Sequence, residues 1–315
     1  MVKRKVLFTT PIKHRDLNFF GIAMPYPFIN LRLVFPPFGL RFLRENVPGI
    51  ETLEYPSWGK FERVLSKKVD VLGISFYTYE IPIVKEMVRI ARREYGVKEI
   101  WGGNYGVLTP GVEELFDKIF IGYAEEQVYE TVYEKPFPGP LRHPSIVVEE
   151  YTPLVPFVRG RMGILFTHRG CNLKCTFCQT PVFSPTISPI PFDEVKKTLL
   201  HYHQKGVKVI LFAEENFNPY LNRELISLIQ SLGMRWFAQT RLDYIHNRVK
   251  ELVETGFIGG LFGLESFNEK NLKFLDKREA KEKMIETLFE MEKYELFVQG
   301  TYMFGFEDDT EESIK

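Results

Sequence analysis

Up to about residue 133 the chain alternates short β-rich runs with stretches whose apolar residues recur at helical spacing. That rhythm predicts a parallel sheet covered by helices. The runs KVLFTT, IETLEY, VDVLGISF, KEIWGG and KIFIGY read as strands. LRFLREN, FERVLSKK, IVKEMVRIARREYG and GVEELFD read as helical, and in the third of these Ile83, Val84, Met87, Val88 and Ala91 share one face, with Gly96 as its stop. Between the first two strands lies FFGIAMPYPFINLRLVFPPFGL, where Pro36 and Pro37 interrupt any longer helix.

The rhythm then breaks. Pro136, Pro138, Pro140, Pro144, Pro153 and Pro156 mark residues 136–160 as an extended connector, with one strand at SIVVEE. From residue 161 strands and helices alternate again: MGILFTHRG, VKVILFAEEN, MRWFAQTRLD, IGGLFGLES and LFVQGTYMFGF as strands, with PFDEVKKTLLHYHQKG, NRELISLIQSLG, NRVKELVETG and REAKEKMIETLFEMEKYE as the helices between. Successive β/α units of this kind build a parallel barrel or part of one, in which reactive groups gather at the C-terminal strand ends. The expected domains are residues 1–135 and 161–315, joined by the linker 136–160.

Composition narrows the function. Among 315 residues, Lys+Arg and Asp+Glu number 41 each, so the net charge is zero and no overall field draws the chain to nucleic acid or an anionic membrane. MVKRKVLFTTPIK has basic residues before an apolar run, but the run reaches Pro11 without a cleavage-site pattern and reads as a strand. No apolar stretch approaches the roughly 18 residues of a membrane span. A cytoplasmic protein is expected. The 28 Phe suit a pocket for a small-molecule or lipid-like ligand, and core packing explains them equally well.

Cys171, Cys175 and Cys178 are the only cysteines in the chain. A secretory disulfide framework is excluded, and the crowding points to metal or redox chemistry in a reducing compartment. Thiolates at C-x3-C-x2-C on a loop leaving a strand can wrap one face of a four-iron four-sulfur cluster, leaving one iron without a protein ligand. The rival is a Cys3His zinc site completed by His168, and a non-catalytic iron-sulfur or zinc protein would follow from it. His201 and His203 sit two apart on a helical stretch and face different ways, while His143 lies in the connector and His246 near a helix start; solvated or capping roles suit them.

The segment RGCNLKCTFC, with Phe177 before the last cysteine, resembles the CxxxCxxC signature of the radical S-adenosylmethionine (radical SAM) superfamily. The resemblance implies an iron-sulfur cluster on the three cysteines, S-adenosylmethionine chelated at the open iron, and reductive cleavage to a 5′-deoxyadenosyl radical. It extends along the second half. FAEENF resembles the acidic motif that contacts the methionine amine, with Glu214, Glu215 and Asn216. WFAQTRLD places Arg241 on the cofactor side, FGLES places Glu265 and Ser266 by the ribose or methionine, and TYMFGFEDDT places Gly305 beneath the adenine. Carboxylates accept from ammonium and hydroxyl groups, which agrees with these roles. Such enzymes imply an electron donor such as ferredoxin or flavodoxin.

The first half resembles the cobalamin-binding domain that precedes the barrel in one subgroup, through Ser75 in GISF, Gly102 and Gly103 in WGGNYG, and Gly122 in IGYAEEQVYETV. Where that subgroup can carry DxHxxG, this chain has Asp16, Asn18 and Gly21, so asparagine stands in place of the cobalt-binding histidine. The expected fold is α/β: a Rossmann-like, doubly wound domain followed by a partial (β/α)6 radical SAM barrel. The resemblance implies cobalamin-dependent methylation or another carbon-centred transformation; a corrinoid-carrying or assembly module is the alternative. EDDTEESIK reads as a helix start, with Asp308, Asp309 or Thr310 as its cap, and predicts further barrel sequence beyond Lys315.

Overall fold

The computed structural model describes residues 4–12, 35–151, 159–277, 280–307 and 309–311. It divides into two compact units, one of residues 1–146 with 150–159, the other of residues 147–149 with 160–315. Asp16, Asn18 and Gly21 lie outside the described residues.

The first unit holds a five-stranded sheet of β1 (Val6–Thr9), β2 (Glu51–Leu53), β3 (Val71–Ser75), β4 (Glu99–Gly103) and β5 (Lys118–Phe120). Its order is β2-β1-β3-β4-β5 and every pairing is parallel. Side chains alternate between faces along a strand, so a sheet buried on both sides needs apolar residues at every position. The sequence supplies them. Leu7, Leu72, Ile74 and Ile100 pack on one face against α2 (Trp58–Leu65) and α3 (Ile81–Arg93). Val6, Phe8, Val71, Trp101 and Phe120 pack on the other with α1 (Phe38–Asn46) and α4 (Glu125–Tyr133). The order reverses between β1 and β3, and in doubly wound sheets that reversal opens a crevice at the carboxyl ends.

Two details differ from the sequence reading. GVEELFD forms only a single 3₁₀ turn at Glu113–Leu115, too short a stretch to nucleate an α-helix. IGYAEEQVYETV contributes α4, which the strand-like start of that segment concealed.

The second unit is an open sheet in the order β13-β12-β11-β10-β7-β6. Its strands are β6 (Ile146–Tyr151), β7 (Arg159–Leu165), β10 (Val209–Phe212), β11 (Arg235–Thr240), β12 (Phe257–Glu265) and β13 (Phe297–Tyr302). From β7 to β13 every pairing is parallel. A short antiparallel ribbon, β8 (His168–Arg169) with β9 (Ser188–Pro189), branches off after β7. The longer helices between strands are α6 (Phe192–Gln204), α7 (Arg223–Ser231), α9 (Val249–Glu254) and α11 (Lys281–Lys293); the shorter are α5 (Thr180–Phe183), α8 (Leu242–Ile245) and α10 (Glu269–Phe274).

Helix α6 is anchored by the Tyr202 hydroxyl, which donates to the Ile164 carbonyl at 2.8 Å. Phe212 and Phe217 stack with centroids 3.9 Å apart, and Trp236 meets both edge-on. All three are fully buried, each stabilising the unit by on the order of 2 kcal/mol. Phe217 also fixes the loop after β10, because its N–H donates to the Gln239 carbonyl at 3.0 Å. β13 pairs with β12 and forms an edge of the sheet among the described residues, with Phe297, Val298 and Tyr302 exposed. No helix among the described residues is long and apolar enough to cross a membrane.

Candidate functional site

The cysteines lie on the loop enclosed by β8 and β9. Its base is clamped: His168 pairs with Pro189, Arg169 with Ser188, and the Ile190 N–H donates to the Thr167 carbonyl at 2.9 Å. Gly170 sits at the mouth with φ +86°, a left-handed conformation that favours glycine. Within the loop the Cys178 N–H donates to the Cys175 carbonyl at 3.1 Å, and the Thr180 N–H reaches the Cys178 sulfur at 3.4 Å. Thr176 donates to the Phe274 carbonyl at 3.3 Å, tying the loop to the end of α10.

All three thiols are free; Cys171 is buried and the others half-buried. Burial pushes the Cys171 thiol up, a bond to the Leu173 backbone draws it down, and Cys178 and Cys175 add to the rise while Arg241 opposes it. His168 directs Nδ1 to Thr167 Oγ1 at 3.1 Å and Glu214 Oε1 at 3.2 Å. Among the described residues no three His, Cys, Asp or Glu side chains gather as one metal ion requires. A loop of separated thiolates suits a multi-iron cluster better than a single tetrahedral zinc.

Glu214 and Glu215, adjacent in sequence, do different work. Glu214 is fully buried and accepts from the Thr167 N–H at 2.5 Å and the Thr167 hydroxyl at 2.8 Å, so its carboxylate is spent on the end of β7. Glu215 accepts from the Gly170 N–H at 3.2 Å, next to Cys171. Burial raises its pKa, against the bonds from its own and the Gly170 backbone. A buried carboxylate held only by amides gains from a cationic partner. Asn216 donates to the Tyr244 hydroxyl at 2.9 Å and, with Cys171, lines a cavity of about 400 Å³. Arg241 forms a two-point ion pair with Asp243 at 2.8 and 2.9 Å.

At the end of β12, Glu265 has φ +67° and is the centre of a γ-turn, the Ser266 N–H donating to the Leu264 carbonyl at 2.8 Å. That turn is rare and strained for a residue with a side chain. Glu265 faces inward: Thr301 Oγ1 donates to it at 3.4 Å and Lys277 Nζ lies 4.0 Å away, both members of the ion pair being nearly inaccessible. Burial raises its pKa, and Lys277 then Thr301 pull against that rise. Ser266, next in the chain, is buried beside Asn271. Gly305 follows β13 with φ +98°, and nothing lies within 4 Å of where a side chain would start. Phe177 is 41% exposed on the cysteine loop. The sequence reading missed Thr167, Lys277, Thr301 and Asn271, whose partners are set by tertiary contact and leave no local signal.

Residues 165–315 match the radical SAM superfamily. The second half of the chain is therefore similar to that superfamily. The chain is 29% identical over 228 residues to a bacteriochlorophyllide d C-12(1)-methyltransferase of Chlorobaculum tepidum, covering 67% of the chain and 48% of the relative. It is 26% identical over 253 residues to a putative methylthiotransferase of Methanocaldococcus jannaschii, covering 74% and 54%. The chain spans about half the length of these curated relatives. Its fold is that of the radical S-adenosylmethionine methyltransferase TsrM from Kitasatospora setae, with a TM-score of 0.71, 14% identity, and coverage of 99% of this chain and 69% of that one.

In the first unit the sequence-predicted residues lie at the C-terminal ends of the strands. Ser75 and Gly103 are register partners at the ends of β3 and β4, with Gly102 beside Ile74 and Gly122 following β5. Among the described residues a side chain at Gly103 would have only the Phe120 carbonyl within 4 Å, at 3.9 Å, so that position is open, whereas the Phe116 ring already fills the space beside Gly102 at 2.8 Å. Tyr55, Tyr77 and Glu80 stand at this edge. Glu80 accepts from the Tyr77 N–H at 2.8 Å, and the Tyr77 ring lies parallel to those of Tyr79 and Tyr105. Burial first, then the neighbouring Tyr77, Glu80 and Glu54, push the Tyr55 phenol up to about 12.

Proposed function

We propose that the chain is the catalytic part of a cobalamin-dependent radical SAM methyltransferase acting on a small molecule. The observation that carries this reading is the clamped loop of free cysteines beside strand-end carboxylates. Cys171, Cys175 and Cys178 would hold a 4Fe–4S cluster; Glu215, Asn216, Arg241, Ser266 and Gly305 would hold S-adenosylmethionine; Ser75, Gly102, Gly103 and Gly122 would cradle cobalamin. When bound, these groups supply one-electron cleavage of the sulfonium to a carbon radical and a methyl group for transfer.

The chain's own residues bind and orient. The β8/β9 clamp fixes where the thiolates point. Glu214 holds the end of β7 through both hydrogens of Thr167, leaving Glu215 as the carboxylate for the methionine ammonium. Glu265, committed to Thr301 and Lys277, shapes the turn that presents Ser266. The doubly wound sheet favours a nucleotide tail at the β1/β3 reversal. A ferredoxin- or flavodoxin-type protein would supply the electron.

The test is anaerobic reconstitution with iron and sulfide, then dithionite and S-adenosylmethionine, assaying 5′-deoxyadenosine and S-adenosylhomocysteine in the protein and in Cys175→Ala. Products are expected from the former only. Intact iron content with neither product would end the enzyme reading. Hydroxocobalamin retained through desalting is expected, and its loss would defeat the cobalamin assignment.

A further inference from the structure

Helix α10 carries a buried asparagine for which the fold has no apolar reason. Asn271 is 3% exposed. Its carboxamide nitrogen donates to Ser266 Oγ at 3.2 Å and to Asp309 Oδ1 at 2.7 Å. A carboxylate only accepts, so the nitrogen must face Asp309 and the amide orientation is forced. Asp309 in turn spends its other oxygen on the Gly305 N–H at 2.8 Å and the Phe306 N–H at 3.0 Å. The sequence offers Asp309 as a cap for a helix that follows; in the fold its carboxylate closes the turn behind it. One unbroken line of hydrogen bonds thus joins Ser266, after β12, to the Gly305 turn, after β13.

The line also fixes the direction of the serine. Ser266 Oγ accepts from the Asn268 N–H at 3.1 Å as well as from Asn271. A hydroxyl has two lone pairs and one hydrogen. Both lone pairs are filled, so the hydrogen is left to donate to a third group. We infer that Asn271 is a positioning residue which, through Asp309, locks the Ser266 and Gly305 turns together and presents the Ser266 hydroxyl as a donor to a carboxylate or ribose oxygen of the cofactor.

This inference rests on the S-adenosylmethionine reading of the site, and the following comparison separates the two. Burial alone would raise the Asp309 pKa, but the bonds from Asn271, Gly305 and Phe306 outweigh it and hold the carboxyl low, so Asp309 is a stable acceptor. Asn271→Asp replaces the donor with a second carboxylate and breaks the line. Asn271→Asp with Asp309→Asn exchanges donor and acceptor and rebuilds the link from residue 271 to the Gly305 turn, but a carboxylate at 271 cannot donate to Ser266 Oγ and accepts the serine hydrogen instead.

Two measurements follow: S-adenosylmethionine affinity of the cluster-loaded protein by equilibrium dialysis, and hydrogen exchange of the peptide covering Met303–Glu307 in cofactor-free protein. Loss of one bond to a charged group predicts that Asn271→Asp weakens affinity about tenfold or more and speeds that exchange, with iron content unchanged. The double exchange is expected to return the hydrogen exchange to within about threefold of the parent while affinity stays low, because the Ser266 hydrogen is then spent on residue 271. Wild-type affinity or exchange in Asn271→Asp, failure of the double variant to recover the exchange, or its recovery of full affinity, overturns the inference. If Asn271→Asp does not fold, Asp309→Asn alone carries the same expectation. A parent protein that loads a cluster and binds no S-adenosylmethionine defeats the enzyme reading, while the exchange comparison still decides the bridge.

Discussion

Gly170 lies so close to Thr186 that a methyl group on its Cα would sit 2.2 Å from the Thr186 carbonyl oxygen. The contact is backbone to side-chain position across the neck of the cysteine loop, one residue before Cys171. Neither partner can move without opening the β8/β9 ribbon.

Gly170→Ala therefore forces the neck apart, and its φ of +86° adds backbone strain of about 1–3 kcal/mol. The expected outcome is a folded protein that binds less than about half the parent's iron on reconstitution, since the thiolates lose their common orientation. Far-UV circular dichroism beside an iron assay checks it; full iron loading would show that the clamp does not position the cysteines.

Lys277→Met leaves Glu265 buried without its cation. Removing one member of a buried pair costs about 3 kcal/mol or more. Glu265 already titrates above the ordinary carboxylate range because burial outweighs Lys277 and Thr301, and loss of the lysine raises it further. A carboxyl raised on folding gives its stability below the unfolded pKa and loses it as pH rises through the folded one. The penalty should be small near pH 4 to 5 and full near pH 8, by urea denaturation; a pH-independent penalty would contradict the buried ion pair.

Glu80 tests the same sign in the first unit. Burial raises its pKa, opposed by the Tyr77 N–H, so ionised Glu80 is a liability at neutral pH. Glu80→Gln keeps an acceptor for Tyr77. Relative to the parent, its stability should rise as pH climbs through the raised pKa and level off above it. Urea midpoints from about pH 4 to about pH 8 measure this; a constant difference would show that Glu80 ionises without cost.

Phe217→Ala removes a fully buried ring stacked on Phe212, and a loss of about 3–5 kcal/mol is expected. The ring also anchors the loop bearing Glu214 to Asn216. S-adenosylmethionine affinity should fall with it, read by dialysis under conditions where circular dichroism shows the variant folded. Unchanged affinity would free that loop from the aromatic core.

Much of the fold was legible because it rests on local periodicity. The runs VDVLGISF and KEIWGG became β3 and β4, apolar at successive positions because both faces of their sheet are buried. IVKEMVRIARREYG became α3 because its apolar residues repeat at helical spacing. Helix α10 was not legible: ESFNEKNLKF has no apolar stripe, and its place is set by Asn268, which caps it, and by Asn271, whose partner lies 38 residues on.

The cysteine spacing was the clearest chemical signal, since three thiolates within one short loop need no tertiary fold to be near one another. By itself the sequence determined the strand and helix rhythm, the cysteine triplet and the order of polar motifs along the strand ends. It could not say that Glu214 turns inward to Thr167 while Glu215 meets Gly170, nor that Glu265 pairs with Lys277 and leaves Ser266 to Asn271. Those choices belong to the tertiary structure, because the direction of a carboxylate is decided by which donors burial brings within about 3 Å, and those donors lie on other strands.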